Sequence, residues 1–248
     1  MSVLIVTGAT GGIGSALVRR ARAAGRTVAA IARGEERLAE LAQATGAAPY
    51  ACDVLDEQAL KATVERIAEE HGPIDGLAHA VGAIALRPLH ATSLDEWRRT
   101  FELNATSAFL AVKAVVPQMM REKRGSVVLF SSVAVQTGLQ NHENVAASKG
   151  AIEALVRSAS ISYARYNVRF NAIAPALTKT PLSQSFWNNE AMLAASTAMH
   201  PLGRIGEPDD IAAAALFALS DDAGWMTGQV IGVDGGLSAG VQPPRTKL

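Results

Sequence analysis

The stretch VLIVTGATGGIG, residues 3–14, decides the fold. It opens with aliphatic residues at every position, which is typical of a strand buried on both faces of a parallel sheet. A cluster of glycines follows, and a helical pattern runs over 14–25. Glycines let the backbone approach a phosphate, and the N-terminus of a helix favours its negative charge. The order strand, glycine turn, helix therefore predicts a dinucleotide site, the alternative being a plain strand-to-helix turn.

Short apolar runs and longer helical patterns alternate along the rest of the chain. Strands are predicted at 27–32, 49–54, 74–82, 125–132, 168–175 and 228–236, and helices at 35–46, 56–72, 94–121, 142–165 and 209–220. This alternation predicts a three-layer, doubly wound α/β fold. We expect one domain over 1–248, with the less periodic segment 176–206 as a substrate lid. The polar tail 241–248 is expected to fray or to pack on a partner.

Composition and charge narrow the class of partner. The chain balances 23 basic against 23 acidic residues, which argues against nucleic acid or a membrane surface and favours a small-molecule or protein partner, with a small-molecule substrate expected. Cys52 is the single cysteine, so no intrachain disulfide forms, and the five histidines show no metal-ligand spacing. The N-terminal apolar run is too short for a signal peptide, and we expect a soluble, cytoplasmic protein.

The end of the second strand bears on which dinucleotide is bound. Sites that prefer NAD place an acidic residue here, whereas an arginine suits the 2′-phosphate of NADP. This chain has Arg33, so NADP(H) is predicted over NAD(H), although Arg33 could be an ordinary exposed residue. Asp53 is at the end of the third strand, where its carboxylate would accept the adenine amino group, cap the next helix, or do both.

Several further motifs, in order, resemble those of the short-chain dehydrogenase/reductases of about 250 residues. They are TGATGGIG at 7–14, CDV at 52–54, ELNATSAF at 102–109, VVLFSSVA at 127–134, ASKGAIEALVRSAS at 147–160, VRFNAIAPALTKTPL at 168–182 and TGQVIGVDGG at 227–236. The resemblance implies a seven-stranded Rossmann-like sheet and a nicotinamide cofactor. It also implies a homo-oligomer, a dimer or a tetramer, that pairs the helices at 94–121 and 142–165.

The resemblance assigns roles residue by residue. Asn104 matches the helix residue that holds a proton-relay water, and Ser132 matches the hydroxyl that polarises the substrate carbonyl. Lys149 matches the lysine that binds the nicotinamide ribose and lowers the pKa of a tyrosine. The implied cofactor-binding residues are Gly8, Thr10, Gly12, Ile13, Gly14, Arg33, Asp53, Val54, Ala80, Gly82, Lys149, Pro175, Thr178 and Thr180, the last two clasping the carboxamide.

The chain departs from the family pattern at three positions near the nicotinamide. Val145 stands four residues before Lys149, where the family has its proton-donating tyrosine. HAVG at 79–82 replaces Asn-Asn-Ala-Gly, and Ala176 replaces a glycine. Tyr-x-x-x-Lys occurs nowhere in the chain, and valine has no exchangeable proton, so a contribution of about 10²–10⁴-fold is lost.

One side chain is a candidate substitute for the tyrosine. If the helix already exists at residue 142, His142 lies close to the Lys149 face of the helix, and its ordinary pKa suits proton transfer. The alternative is a solvated loop residue.

We interpret His79 as a hydrogen-bonded structural histidine. Trp187 falls in the 176–206 segment and could line the lid.

Three functions fit these residues. The first is an NADP(H)-dependent oxidoreductase of a carbonyl or alcohol, with Ser132 polarising and water or His142 donating the proton. The second is a catalytically silent NADP-binding sensor or non-catalytic partner subunit. The third, an elimination or isomerisation on the same fold, has no positive signal in the sequence.

Overall fold

Seven parallel strands form one sheet in the computed structural model, which describes residues 2–240. The sheet order is β3-β2-β1-β4-β5-β6-β7. The strands are β1 (Val3–Thr7), β2 (Thr27–Ala32), β3 (Ala48–Ala51), β4 (Ile74–His79), β5 (Gly125–Phe130), β6 (Val168–Pro175) and β7 (Val230–Val233). All five residues of β1 are buried, as its unbroken apolar run predicts.

Nine α-helices accompany these strands within the part of the chain that the structure describes. They are α1 (Gly12–Ala23), α2 (Glu35–Thr45), α3 (Glu57–His71), α4 (Leu94–Phe101), α5 (Ser107–Glu122), α6 (Glu143–Tyr163), α7 (Gln184–Trp187), α8 (Glu190–Met199) and α9 (Pro208–Leu219). Two hydrophobic clusters hold the long helices to the sheet. One joins β-strand residues to Val64, Val112 and Val156 of α3, α5 and α6, and the other joins them to Leu17, Leu38 and Ile211 of α1, α2 and α9. The predicted three-layer α/β fold with a seven-stranded parallel sheet is confirmed.

The strand order reverses direction between β1 and β4. In open α/β sheets, ligands bind outside the carboxyl ends of the strands at such a switch point. The glycine turn after β1 and the end of β4 both lie there, because β1 pairs with β4 from Val3 to Thr7. The fold therefore puts the predicted cofactor residues at one crevice.

The long helix predicted at 94–121 is interrupted by a π turn over Glu102–Thr106, which joins α4 to α5. The sequence pattern did not reveal this turn. π turns insert one residue into a helix and are frequent at functional sites. Here the turn contains the fully buried Asn104.

The N-cap of α3 and the helix content of the segment 176–206 also differ from the predictions. Asp56, rather than Asp53, caps α3 by accepting a hydrogen bond from Ala59 N at 3.0 Å. The segment 176–206 contains a short 3₁₀ turn at Pro181–Ser183, α7 and α8, so it is more helical than its weak periodicity indicated. The tail 241–248 lies outside the described residues. None of the helices over residues 2–240 combines the length and the hydropathy needed to cross a membrane.

Candidate functional site

An elongated cleft of about 390 Å³ lies along the crevice at the switch point. Its walls come from the glycine turn, the ends of β2, β3 and β4, and the start of the 176–206 segment. The lining includes Gly8, Thr10, Gly12, Ile13, Arg33, Asp53, Val54, Ala80, Gly82 and Thr180, which were all predicted to bind the cofactor.

The glycine turn is packed so closely against its neighbours that no side chain fits at three of its positions. Gly8 has φ +67°, and a Cβ built on it would lie 2.6 Å from the carbonyl oxygen of Ala80. A Cβ on Gly12 would lie 2.6 Å from Cγ2 of Thr180. A Cβ on Gly14 would overlap the carbonyl oxygen of Gly8. Glycine is therefore required for the close packing of this turn, which ends at the N-terminus of α1, where backbone N–H groups can bind a phosphate of a dinucleotide.

The adenosine end of the cleft carries two arginines. Arg33 is exposed, and its Nη1 lies 4.0 Å from Oδ2 of Asp53. Arg37, in the first turn of α2, donates from Nη2 to the carbonyl oxygen of Thr10 and also lines the cleft. Sequence reasoning missed Arg37. No local signal marks Arg37, because α2 begins at Glu35 and Arg33 lies before the helix, so the two arginines do not share a helix face.

A second cavity of about 160 Å³ continues the cleft toward the ends of β5 and β6. It shares Ile13, Ala80, Gly82 and Thr180 with the cleft. Its other lining residues include Ile84, Ser131, Ser132, Val145, Lys149, Pro175, Ala176, Leu177, Thr178 and Leu182. The structure therefore brings the predicted Ser132, Lys149, Pro175, Thr178 and Thr180 to one place.

Ser132 lies two residues after the end of β5 and caps a 3₁₀ turn at Val133–Val135. Its Oγ accepts a hydrogen bond from Ala134 N at 3.2 Å, which leaves the hydroxyl hydrogen to donate into the cavity. The preceding Ser131 donates to Oε1 of the buried Glu153 at 2.9 Å. Glu153 was not predicted, although its spacing of four residues from Lys149 puts it on the same face of α6.

Lys149 projects from α6 with its ammonium group almost fully buried. Its Nζ donates to the carbonyl oxygen of Phe130 at 2.8 Å. Burial lowers the pKa of Lys149 to about 8. A Cβ on Gly82 would lie 3.2 Å from this Nζ and 2.9 Å from Oδ1 of Asn104, so both groups face the position that glycine leaves open.

Asn104 is held by the loop after β4 and by α6. Its Oδ1 accepts from Ala83 N at 2.8 Å, and its Nδ2 donates to Ser148 Oγ at 2.9 Å. Every polar atom of this side chain thus has a protein partner. Asn104 lies beside the cavity wall at Gly82 and does not itself line the cavity.

Val145 lies one turn before Lys149 on the same face of α6, and it lines the cavity while only 5% exposed. The three tyrosines lie elsewhere. Tyr50 on β3 donates to Glu70, and burial raises its pKa, while Tyr163 is the last residue of α6 and Tyr166 lies in the turn that follows it. No tyrosine lines either cavity.

His142 does not reach the cavity in this structure. α6 begins at Glu143, so the helix on which the His142 hypothesis depended does not include this residue. The imidazole Nδ1 is hydrogen-bonded to the carbonyl of Gln140 at 2.8 Å, and His142 is absent from the cavity lining. The condition that the helix already exists at residue 142 is not met, because His142 is the residue before the first turn of α6 and its backbone is not helical.

His79 is buried behind the cleft and does not line it. The hydroxyl of Ser107 donates to Leu103 O at 2.6 Å, so it accepts from His79 Nε2 at 2.9 Å. Nδ1 then accepts from the hydroxyl of Thr7 at 2.8 Å, which makes the ring neutral. Of the three departures, Val145 and Ala176 face the cavity and His79 supports the sheet.

The 176–206 segment is anchored to the site at its start. Thr178 and Thr180 are buried, and Thr180 caps the Pro181–Ser183 turn. Trp187 Nε1 donates to the carbonyl of Thr180 at 3.1 Å. This hydrogen bond connects α7 to Thr180, and the indole does not line the cavity. Within residues 2–240, no cluster of histidine, cysteine and carboxylate side chains is arranged to hold a metal ion.

Comparisons with known proteins agree with this geometry. A family model described as enoyl-(acyl carrier protein) reductase matches residues 8–238. The chain is 34% identical over 90% of its length to the whole of the inactive 2-(S)-hydroxypropyl-CoM dehydrogenase 2 of Xanthobacter autotrophicus. It is 35% identical to the 2,5-dichloro-2,5-cyclohexadiene-1,4-diol dehydrogenase of Sphingobium indicum, over 95% of this chain and 96% of that protein.

Among solved structures, a short-chain type dehydrogenase/reductase from Mycobacterium ulcerans superposes with a TM-score of 0.92 at 30% identity. The match covers 96% of this chain and 90% of the other. The matching family model, the similar sequences and the similar solved structure agree with the fold and with the cleft beside the glycine turn. This chain therefore belongs to the short-chain dehydrogenase/reductases, a family of oxidoreductases that use nicotinamide cofactors.

Proposed function

We propose that this protein is an NADP(H)-dependent oxidoreductase that interconverts a carbonyl and an alcohol through a modified proton-transfer site. One observation carries the proposal: Ser132 and Lys149 line a single small cavity that opens into the dinucleotide cleft. The proposal includes one nucleotide-binding domain over 1–248 with 176–206 as its lid.

The chain's own residues account for binding and polarisation. The glycine turn and the start of α1 bind the pyrophosphate, and Thr178 and Thr180 hold the carboxamide. When bound, the nicotinamide gives or takes a hydride. The Ser132 hydroxyl donates to the carbonyl oxygen and stabilises the negative charge that develops there. The apolar walls at Ile84, Leu177 and Leu182 favour a ketone or alcohol of modest polarity.

Turnover tests the oxidoreductase proposal. NADPH oxidation is measured against a panel of cyclic, aliphatic and aromatic ketones. Loss of the Ser132 donor in Ser132→Ala lowers kcat by about 10²–10³-fold. Ser158→Ala, at an exposed position of α6, is the matched control and keeps wild-type rates. Equal rates in Ser132→Ala and the wild type would contradict the proposal.

The preference for NADP(H) rests on Arg33 and Arg37 beside the cleft. A charge-assisted contact to the 2′-phosphate contributes about 1.5–3 kcal/mol, which is about 10–100-fold in Kd. Arg33→Ala and Arg37→Ala therefore weaken NADPH binding by that factor and leave NADH binding unchanged. The control is Arg121→Ala, at an exposed position of α5. Fluorescence titration measures each Kd, and equal losses for the two nucleotides would refute the assignment.

A catalytically silent nucleotide-binding protein is the second candidate, and Val145 is the observation that favours it. One similar protein carries the word inactive in its name. This candidate predicts tight NADPH binding without turnover on any ketone. Val145→Tyr separates the two, since gain of ketone reduction in the variant alone would mean that only the proton donor is missing.

We also propose a homo-oligomer, dimer or tetramer, that pairs the long helices. Phe109 on α5 is 49% exposed and Ile161 on α6 is 80% exposed, as apolar side chains in an interface would be in the isolated chain. Light scattering coupled to size exclusion measures the mass. A monomer at micromolar concentration would contradict this part of the proposal.

A further inference from the structure

Lys149 is the only ionisable side chain among the residues that line the cavity beside Ser132. The other lining groups are apolar side chains, backbone, and the hydroxyls of serine and threonine. Val145, which holds the position of the missing tyrosine, contributes only methyl groups to the wall. A proton that reaches a ligand from the protein itself therefore has one candidate source.

The Lys149 ammonium has hydrogens left to give. Its Nζ donates one to the carbonyl oxygen of Phe130 at 2.8 Å, and an ammonium carries three. Among residues 2–240 no carboxylate forms an ion pair with it, and burial is the cause of its pKa shift. Burial favours the neutral amine and lowers the pKa of Lys149 to about 8, near the range in which general acids work best.

We propose that Lys149 itself donates the proton to the substrate oxygen in carbonyl reduction and takes it back in alcohol oxidation. This inference rests on the proposed oxidoreductase function and names its proton donor. It differs from the role that the family resemblance implies, in which the lysine acts through a tyrosine.

The step balances in atoms and electrons. When bound, a reduced nicotinamide would supply the hydride, its own C–H bond breaking as the new C–H bond forms on the substrate, and the π electron pair of the carbonyl moves onto its oxygen. That oxygen takes a proton from Nζ as an N–H bond breaks and an O–H bond forms. Lys149 is left as a neutral amine, and water protonates it again before the next turnover.

The groups packed around Lys149 supply no competing proton. On β4, His79 is neutral with both ring nitrogens engaged, and burial and the Lys149 charge lower its pKa to about 3. On α4 and the π turn, the buried polar side chains are the neutral Thr100 and Asn104. On β6, the buried polar side chain is Asn171, which is also neutral.

The remaining charges belong to α6 itself. Glu153, one turn beyond Lys149, accepts from Ser131, and its Oε2 lies 3.6 Å from Nη1 of Arg157. Both oxygens of this carboxylate thus have a protein partner, Ser131 for Oε1 and Arg157 for Oε2. It holds Ser131 in place and leaves Lys149 as the group that exchanges a proton with a ligand.

The first experiment measures the protonation of Lys149 without turnover. Protein with ¹³C at lysine Cε is titrated from pH 6 to pH 11 by NMR, and Lys149→Arg identifies the Lys149 resonance by its loss. A midpoint near pH 8 is the expected result. A midpoint above pH 10 would overturn the proposal.

The second readout is the pH profile of ketone reduction. The wild type loses kcat/KM tenfold per pH unit above about pH 8, because the donor must be protonated. Lys149→Arg keeps the positive charge and NADPH binding but loses about 10²–10⁴-fold in kcat and the alkaline decline. A lysine that only bound the ribose would change KM and leave the decline intact.

Chemical rescue distinguishes a proton donor from a structural cation. Lys149→Ala regains rate in proportion to added methylammonium, which can occupy the vacated space. An unchanged alkaline decline in Lys149→Arg, or no rescue of Lys149→Ala that still binds NADPH, overturns the lysine role alone. Absence of ketone reduction in the wild type at every pH overturns the oxidoreductase function as well.

Discussion

Acid pH should destabilise this protein through one buried histidine. His79 is 1% exposed, and its pKa falls from 6.5 to about 3 in the folded chain. The hydrogen bond from Thr7 to Nδ1 exists only with a neutral ring, so a proton there would remove it. In the unfolded chain His79 binds a proton below pH 6.5, whereas in the folded chain it stays neutral until the pH falls to about 3. Stability is therefore present above pH 6.5 and is lost as the pH falls.

The size of the effect follows from the two pKa values. At pH 4.5 the unfolded state is two units below its pKa and the folded state is still neutral. At about 1.4 kcal/mol per unit, His79 lowers the free energy of unfolding by about 3 kcal/mol relative to neutral pH. Carboxylates add their own pH dependence, so the histidine contribution is the difference between the wild type and a variant that lacks this ring.

The assay is urea unfolding followed by circular dichroism at pH 7.5 and pH 4.5. His79→Asn removes the titrating ring, and its loss of stability between the two pH values should be about 3 kcal/mol smaller than that of the wild type. His90→Asn, the same change at an exposed histidine, should follow the wild type. Parallel curves for His79→Asn and the wild type would refute the reasoning, whatever their absolute stabilities.

Three further predictions concern single contacts. In Gly14→Ala the new Cβ overlaps the carbonyl oxygen of Gly8, so the glycine turn must shift. The Kd for NADPH, measured by fluorescence titration, should then rise at least about tenfold. An unchanged Kd would exclude this packing. Asp56→Ala removes the N-cap of α3 and should lower the free energy of unfolding by about 1 kcal/mol in urea, with no change counting against the cap. Trp187→Phe keeps an aromatic side chain but loses the hydrogen bond from the indole to Thr180, which is worth about 1 kcal/mol. Limited proteolysis within 188–199 should therefore be roughly fivefold faster in the variant. An equal rate would mean that the indole does not restrain the lid.

The sequence predicted the sheet well because buried parallel strands are continuous apolar runs. The prediction of β2 (Thr27–Ala32) and β6 (Val168–Pro175) matches their observed bounds. Local signals were also sufficient for the glycine turn, since its chemistry is concentrated in a few adjacent residues.

The errors occur where long-range contacts decide local structure. The start of α6 depends on where the loop after Ser132 returns to the helix, and no residue near His142 marks that point. Asp53 and Asp56 are equally good caps by composition, and only the position of α3 selects Asp56. Arg37 could not be assigned because its contact with Thr10 joins two separate turns.

The π turn at Glu102–Thr106 makes the helix pair α4–α5 sensitive to its residue count. A regular helix advances about 100° per residue, so the inserted residue sets the angular phase between the two halves. Removing one residue here would rotate one half of the helix pair by about 100° relative to the other. Either Asn104 would rotate away from its partners, or the apolar stripe of α5 would turn from the sheet toward solvent. The chain can therefore tolerate many substitutions in this turn more readily than one deletion, and a scan of single-residue deletions should show its sharpest loss of folded protein at these five positions.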